Sequence, residues 1–247
     1  MALTTAPGRS DRSGRNGRTP DRTHMALIAG LTAVLVLAMI GLAVLVHGGG
    51  SSINGIQGSG AAVTQARTVG GFTGLDLAGS NNVTVIVGAP QSVVLHADSN
   101  LINHVTTGVV AGTLVIGDTG SFTPRAPMSV DVSVPSLTAL TISGSGQISA
   151  TGISAAQLAV TVSGSGQLQA AGTATRLDVA ISGSGRAQLS QLTARDVHAV
   201  VAGSGLIQVT ATTSLDAAIP GDGTIVYGGN PPQVTTSVTG SGSIVRG

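Results

Sequence analysis

The sequence predicts an all-β protein whose main domain is a parallel β-helix, a solenoid with rungs of about 19 residues, preceded by one N-terminal transmembrane helix. Three observations lead to this prediction. A Gly-Ser-Gly triplet recurs at a nearly constant spacing in the second half of the chain. Apolar and polar residues alternate on both sides of each triplet, as they do in half-buried strands. Residues 25–46 contain no charged residue.

The composition excludes several classes of function. Only 9% of the 247 residues are charged, and every basic residue is Arg while every acidic residue is Asp. Because Lys and Cys are absent, the chain has no P-loop lysine, thiolate nucleophile, disulfide or lipid-modified cysteine. The net charge of +1 gives no sign of nucleic-acid binding. We expect no cofactor.

The first 66 residues divide into three segments. Residues 1–24 are rich in Arg, Gly, Ser and Thr and predict a disordered tail. Residues 25–46 would form a helix about 33 Å long, which spans a hydrocarbon core of about 30 Å and exceeds the apolar part of a cleaved signal peptide, the alternative interpretation. Arginines precede this helix, which predicts a cytoplasmic N-terminus and an extracytoplasmic C-terminal domain in a single-pass arrangement. Residues 47–66, rich in Gly and Ser, predict a flexible tether.

Residues 67–247 show a β-strand pattern throughout, and the triplet-bearing rungs begin at residue 137. The first glycines of successive triplets are separated by 20, 19, 20, 18 and 19 residues. Such a short and regular period is typical of stacked units that share their hydrogen bonds and core. The sequence leaves one alternative open, an antiparallel β meander in which each triplet is a hairpin loop.

The alternation of apolar and polar residues passes through each triplet without changing its parity. A continuous strand register therefore points both glycines inward and the central serine outward. We predict that each triplet forms a tight inner corner, where glycine both avoids a Cβ and supplies backbone freedom. Asp222 replaces the central serine once, and Asn81, which tolerates a left-handed φ, replaces the second glycine in an earlier copy. The predicted corner glycines are Gly144, Gly146, Gly164, Gly166, Gly183, Gly185, Gly203, Gly205, Gly221, Gly223, Gly240 and Gly242.

Stacked rungs place residues of equal repeat position in columns on the surface. One outward column contains Asp178, His198 and Asp216, which is either a weak divalent-metal or pH-sensitive site or a solvated polar ladder. We favour the polar ladder and predict no metal site. A second column contains Gln169, Gln188 and Gln208, which predicts a ladder of side-chain amides.

The sequence contains no arrangement of residues typical of an enzyme, and we predict no catalytic residue. The G-x-S-x-G motif of serine hydrolases is absent. A polysaccharide-active enzyme would need clustered carboxylates in a groove, whereas this chain has ten Asp and no Glu. Such an enzyme is therefore the least favoured function.

Several blocks of the chain resemble a known bacterial family. These blocks are "RTVGGFTGLDLAGSNNVTVIVG" (67–88), "SNLINHVTTGVVAGTLVIGD" (99–118) and "VDVSVPSLTALTISGSGQI" (130–148), followed by the later Gly-Ser-Gly rungs. Residues 67–245 are similar to the putative autotransporter-adhesin head domain, also called the head GIN domain. The resemblance implies a right-handed β-helical fold and exposure at the cell surface, and it brings no catalytic residues.

These observations together predict a membrane-anchored, extracytoplasmic β-helical module for adhesion, scaffolding or protein interaction, without catalysis. Its expected partners are the membrane, through residues 25–46, and an unidentified cell-surface protein or glycan; self-association is left open. The alternative is an accessory protein of envelope stress or signalling that works through its anchor and Arg-rich tail.

Overall fold

The computed structural model describes residues 55–247, so the predicted tail, transmembrane helix and first part of the tether lie outside the described residues. Within residues 55–247, no helix reaches the length and apolarity needed to cross a membrane. The described chain forms seventeen strands and one single-turn 3-10 helix, Ile102–His104. The strands are β1 Ile56–Gln57, β2 Ala62–Ala66, β3 Gly74–Leu77, β4 Asn82–Val87, β5 Ser92–Asp98, β6 Val105–Val110, β7 Thr113–Asp118, β8 Phe122–Thr123, β9 Ser129–Val134, β10 Ala139–Ile142, β11 Gln147–Val162, β12 Gln167–Ile181, β13 Arg186–Val201, β14 Leu206–Ile219, β15 Thr224–Gly229, β16 Gln233–Val238 and β17 Ser243–Arg246.

From β10 onward the strands stack in parallel, which confirms the predicted solenoid. Residues one repeat apart are direct neighbours: Ala159 pairs with Asp178, Asp178 with His198, and His198 with Asp216. Successive triplets therefore run in the same direction, and the antiparallel meander is wrong for this part of the chain. The solenoid makes about five turns.

The long strands β11 to β14 each bend around the solenoid and contribute to two of its sides. On the first side the strand order is β2-β5-β9-β4-β11-β12-β13-β14-β15-β17. On the second side the order is β6-β7-β3-β10-β11-β12-β13-β14-β16. We call the outward surface of the first side, around Gln169, Gln188 and Gln208, the glutamine face. We call the outward surface of the second side, around Asp178, His198 and Asp216, the charged face.

Side chains at even distances from the first glycine of each triplet fill the interior. Ile148, Leu168, Ala187, Ile207 and Ile225 occupy one such column, and none of them has exposed surface. Removing this apolar surface from water is the main force that holds the rungs together, at about 25 cal/mol for each Å² buried. The inward and outward assignment made from the sequence is confirmed in these rungs.

The triplet glycines are required by the close approach of stacked backbones rather than by their φ angles. A Cβ on Gly185 would lie 2.5 Å from Val162 Cγ1 and 2.6 Å from the Gly166 carbonyl oxygen. A Cβ on the first glycine of each triplet would lie even closer to a backbone carbonyl oxygen of the preceding rung. None of the twelve triplet glycines has a positive φ, and neither has Asn81. The prediction of a corner without room for a Cβ is therefore supported, whereas the predicted need for unusual backbone freedom is wrong.

Asn81 occupies the position of a triplet glycine, and its side chain forms a hydrogen bond at the corner. Its Nδ2 donates a hydrogen bond to Asp118 Oδ1 at 2.6 Å, and Asp118 Oδ2 accepts a further bond from the Ser80 amide at 3.0 Å. Asp118 thus lies against the earliest triplet, Gly79-Ser80-Asn81, on the side away from the later rungs. This carboxylate closes the column of corners at its N-terminal end.

The N-terminal part of the described chain includes antiparallel pairs that the repeat did not predict. Strand β2 pairs with β5, β5 with β9, and β6 with β7, each antiparallel. Residues 62–66 were predicted to belong to a flexible tether, but they form β2 and extend the first side of the solenoid. None of the five residues of β2 is buried and four are exposed, so this strand lacks the apolar alternation that marked the later rungs. The folded domain therefore begins before Arg67.

Among residues 55–247, no strand stacks on the outer side of the last described rung, which β16 and β17 form. Every residue of β16 is exposed, including Val234 and Val238, whose counterparts in the preceding rungs are buried. Arg246 follows the inward column but is itself exposed, and its Nη2 donates to the Gly229 carbonyl at 3.1 Å and to Asn230 Oδ1 at 3.2 Å. The guanidinium group therefore lies against the C-terminal end of β15 in the preceding turn.

Candidate functional site

A shallow groove lies on the glutamine face, across the middle rungs of the solenoid. Its volume is about 270 Å³. Three glutamines from consecutive rungs form its floor, because Gln169 pairs with Gln188 and Gln188 with Gln208 in the parallel ladder. The remaining lining comes from small or neutral polar residues, which are Ser149, Ala150, Thr151, Ala170, Ala171, Ser190 and Gln191. No charged residue lines the groove.

The groove forms where the strands leave the glutamine face through β-bulges. The ladder between β11 and β12 shifts register after Ala150, and the ladder between β12 and β13 shifts after Gln169. Gly152 lies at this bend with a φ of +77°, a conformation that residues with a Cβ rarely adopt. Bulges bend a strand and change the direction of its side chains. Here they turn the chain away from the glutamine face just after the glutamine column. The bend leaves a concave surface beside an otherwise flat sheet.

One of the groove glutamines, Gln188, is held by a side-chain hydrogen bond between rungs. Gln167 Nε2, in the next outward column of the same face, donates to Gln188 Oε1 at 3.0 Å. This bond fixes the Gln188 amide and leaves its NH₂ group free to donate outward. Gln169, Gln188 and Gln208 are each partly exposed. The three glutamines form the predicted column, at the strand spacing of about 4.8 Å, but among residues 55–247 no hydrogen bond joins their side-chain amides to one another, so the predicted amide ladder is not formed.

The charged face brings together the residues that the sequence placed in one column. His198 Nδ1 lies 3.3 Å from Asp216 Oδ2, and Asp178 is the neighbour of His198 on the other side. The side chains of His198 and Asp216 are 33% and 60% exposed, so water screens their interaction strongly. Among residues 55–247, no group of three or more metal-ligating side chains is arranged to hold an ion. The His198–Asp216 contact is thus a solvent-exposed pair within this outward column.

A second histidine cluster lies at the N-terminal end of the glutamine face, and sequence reasoning missed it. His96 Nδ1 lies 3.0 Å from Thr64 Oγ1, and His96 Nε2 lies 3.1 Å from Asp131 Oδ2. These residues come from β2, β5 and β9, which pair antiparallel, so the repeat period carried no signal for them. The cluster lies on an exposed strand surface. The His96 side chain, on β5, contacts β2 on one side and β9 on the other, so it connects three neighbouring strands.

Two aspartates in the N-terminal half have shifted pKa values for different reasons. Burial raises the pKa of Asp76 above its usual value, and a hydrogen bond from Ser143 Oγ at 2.9 Å offsets part of this effect. Burial also acts to raise the pKa of Asp98, but backbone N–H bonds from Arg125, Ala126 and Gly60 outweigh it and lower the pKa. Both carboxylates lie away from the groove and serve the fold.

Comparison with known proteins identifies the architecture. The family model described as "Putative auto-transporter adhesin, head GIN domain" matches residues 71–231. A crystal structure of a putative adhesin from Bacteroides fragilis shares 23% identity, covers 78% of this chain and 100% of its own, and superposes with a TM-score of 0.66. That of a putative lipid binding protein from Parabacteroides distasonis shares 21% identity over 78% of this chain and 100% of its own, with a TM-score of 0.51. Among curated proteins, none matches. At these identities the two structures share the fold with this chain.

Proposed function

We propose that this chain, which belongs to the putative auto-transporter adhesin, head GIN domain family, is a non-catalytic adhesion module. Its right-handed solenoid is displayed outside the membrane, and its glutamine face binds an extended surface polysaccharide. The observation that carries the proposal is the groove lined by the amides of Gln169, Gln188 and Gln208. Amide and hydroxyl groups repeat along this groove at the spacing of the strands.

The chemistry of the lining favours a neutral, polyhydroxylated polymer. Glutamine amides donate and accept hydrogen bonds, as the hydroxyl groups of a sugar chain do. Without a charged residue in its lining, the groove has no means of selecting an ionic ligand by direct pairing. Each hydrogen bond to ligand adds only about 0.5–1.5 kcal/mol, so useful affinity requires several adjacent rungs to act together. A ligand that extends along the stack meets that requirement.

The same lining supports a binding role rather than a catalytic one. Cleavage of a glycosidic bond generally uses a pair of carboxyl groups on opposite sides of the bond. The described groove contains glutamine, serine, threonine and alanine side chains, none of which acts as an acid near neutral pH. The arrangement is suited to holding a polymer without cutting it.

Display outside the membrane is part of the proposal and rests on the N-terminal sequence. Residues 25–46 are long and apolar enough to anchor the chain, and the arginines before them favour a cytoplasmic N-terminus. In the described domain, β2 and β17 are the outermost strands of the first side, with eight strands between them. At about 4.8 Å per interval, β17 lies roughly 43 Å from β2.

The direct test is a binding measurement with the full chain in mild detergent. Purified bacterial cell-wall polysaccharides, immobilised separately, are probed with the wild type and with a triple variant that carries Gln169→Ala, Gln188→Ala and Gln208→Ala. Loss of three hydrogen bonds at about 0.5 kcal/mol or more each should weaken binding at least about tenfold. The matched control carries Gln157→Ala and Gln233→Ala, two exposed glutamines outside the groove, and should bind as the wild type does.

Two outcomes would contradict the proposal. If the triple variant and the control bind polysaccharide equally well, the groove is not the binding surface. If the wild type binds none of the polysaccharides but binds phospholipid vesicles, the ligand class is wrong and lipid contact replaces it.

A further inference from the structure

Strand β4 adjoins the groove on its N-terminal side. Its outward side chains are Asn82, Thr84 and Ile86, and all three are exposed. In the parallel ladder Thr84 pairs with Ser149 of β11. Ile86 pairs with Thr151 of the same strand. Because Ser149 and Thr151 both line the groove, the outward surface of β4 continues the groove by one strand.

The bend that makes the groove concave lies against the end of β4. A Cβ on Gly152 would lie 2.6 Å from the Val87 carbonyl oxygen, so the two backbones are in contact where β11 turns away. Gly88 follows Val87 with a φ of +94°, and β4 ends there. Ile86 therefore lies at the rim of the groove, directly before both strands leave the glutamine face.

Ile86 is the most exposed large apolar side chain among residues 55–247, at 51%. Its neighbours in the ladders, Ser133 and Thr151, are polar. Single exposed apolar residues are common on protein surfaces, but Ile86 adjoins a groove lined by amides, hydroxyls and alanine methyl groups. A pyranose ring has hydroxyl groups at its edge and C–H groups on its face. Such a ring can contact an aliphatic side chain and polar side chains at the same time.

Asn82 provides a carboxamide on the same strand. It pairs with Gln147, and Gln147 pairs with Gln167, so three amides from consecutive rungs form a row beside the groove. Gln167 Nε2 donates to Gln188 Oε1 at 3.0 Å, and this bond joins the row to the groove glutamines. The groove and the surface of β4 are thus parts of one continuous polar surface.

This surface is bounded by charge on the far side of β4. There Asp131 of β9 pairs with Thr84, and Asp131 Oδ2 lies 3.1 Å from His96 Nε2. Between this pair and the last groove strand lie β4, β11, β12, β13 and β14, and among their outward residues on the glutamine face only Arg186 is charged. An extended sugar chain advances by roughly one strand spacing, about 4.8 Å, with each unit, so these strands can hold about five units.

We propose that β4 forms a further subsite for the polysaccharide, in which Ile86 packs against the C–H face of a sugar ring and Asn82 bonds to hydroxyl groups at its edge. This inference rests on the function proposed above, because the chain bound in the groove is the one that continues over β4. It narrows the ligand to pyranose chains whose rings present C–H groups on one face, as rings with mostly equatorial hydroxyls do. The subsite makes binding stronger for chains that extend past the groove.

The test compares short and long fragments of the purified cell-wall polysaccharides, of about three and about eight sugar units, so that only the long ones exceed the groove. Each fragment competes with immobilised polysaccharide for the full chain in mild detergent. Ile86→Ala and Asn82→Ala are the test variants. Val110→Ala is the matched control, since Val110 is 44% exposed and lies on β6, on the second side of the solenoid. Far-UV circular dichroism checks that each variant is folded.

We expect Ile86→Ala to weaken the binding of long fragments about threefold to tenfold, since about half of this side chain remains to be buried. Asn82→Ala should weaken it about twofold to tenfold, through the loss of one hydrogen bond. Short fragments fit within the groove and should bind both variants as they bind the wild type. Val110→Ala should bind both lengths as the wild type does.

The outcomes separate the subsite from the function on which it rests. If Ile86→Ala binds long fragments as tightly as the wild type does, while the triple glutamine variant loses binding, the subsite is wrong and the groove remains the binding surface. An equal loss on short and long fragments would also overturn the subsite, because the short fragments would then lie on β4 rather than in the groove. If the wild type binds no fragment of either length, the proposed function fails and the subsite fails with it.

Discussion

Substituting the second glycine of the third triplet tests the corner geometry directly. In Gly185→Val, the new Cβ lies 2.5 Å from Val162 Cγ1 and 2.6 Å from the Gly166 carbonyl oxygen, whereas ordinary contacts begin at 3.4 Å. One of these obstacles is backbone, which cannot rotate away. Forcing extra carbon atoms into a packed core costs about 1–3 kcal/mol.

The displaced backbone also strains two ladder bonds at this corner. The Arg186 amide donates to the Gly166 carbonyl at 3.0 Å, and the Leu206 amide donates to the Gly185 carbonyl at 3.1 Å. Each bond contributes about 0.5–1.5 kcal/mol, so their loss brings the total to about 2–6 kcal/mol. By contrast, Ser184 is exposed, and Ser184→Asp should change the free energy of unfolding by less than about 0.5 kcal/mol. Asp222 already occupies the equivalent position two rungs later.

The assay is guanidinium chloride unfolding of the full chain in mild detergent, followed by far-UV circular dichroism. With a slope of about 4 kcal/mol per molar denaturant, Gly185→Val should lower the midpoint by about 0.5–1.5 M, and Ser184→Asp by about 0.1 M or less. Comparable shifts for the two variants would refute the account of a corner that has no room for a Cβ.

Two carboxylates give opposite dependences of stability on pH. Because burial raises the folded pKa of Asp76, its contribution is present below the unfolded pKa and is lost as the pH rises through the folded pKa. Asp76→Asn keeps an acceptor for Ser143 and should raise the unfolding midpoint at pH 7, with a smaller gain near pH 3; a lower midpoint at pH 7 would contradict the burial argument. Asp98 has a lowered pKa, so its contribution is present above the unfolded pKa, about 3.9, and is lost as the pH falls through the folded value. Asp98→Asn should lower the midpoint at pH 7 and flatten its decline below about pH 4, and an unchanged acid profile would show that the three backbone bonds to Asp98 are unimportant.

The repeat made much of the C-terminal half predictable from the sequence. A regular period with constant parity predicts the neighbours of Asp178 and Gln188, and the parallel ladder has that register. Of the two reasons predicted for glycine at the triplets, the structure supports only one. Periodicity shows that a Cβ is excluded, but the φ angle depends on how the chain turns, and it proved ordinary at the triplets.

The N-terminal half was less predictable because its contacts join segments without a common period. His96 meets Thr64 and Asp131 across antiparallel pairs, and Asp98 accepts bonds from three amides in two separate segments. The groove also escaped prediction, although its glutamine column was foreseen. Its concavity comes from β-bulges whose position depends on how rungs of unequal length adjust to one another.

Because each corner stacks on the one before it, the solenoid can become longer or shorter by whole rungs. A rung touches mainly its two neighbours, so duplicating or deleting about 19 residues in phase with the triplets would alter the number of turns while leaving each remaining contact in place. One amide would be gained or lost in the groove with each such step, and the reach from entry strand to last rung would change by about 4.8 Å. Chains of this design could thus evolve longer or shorter binding tracks by recombination within the repeat, without inventing a new surface.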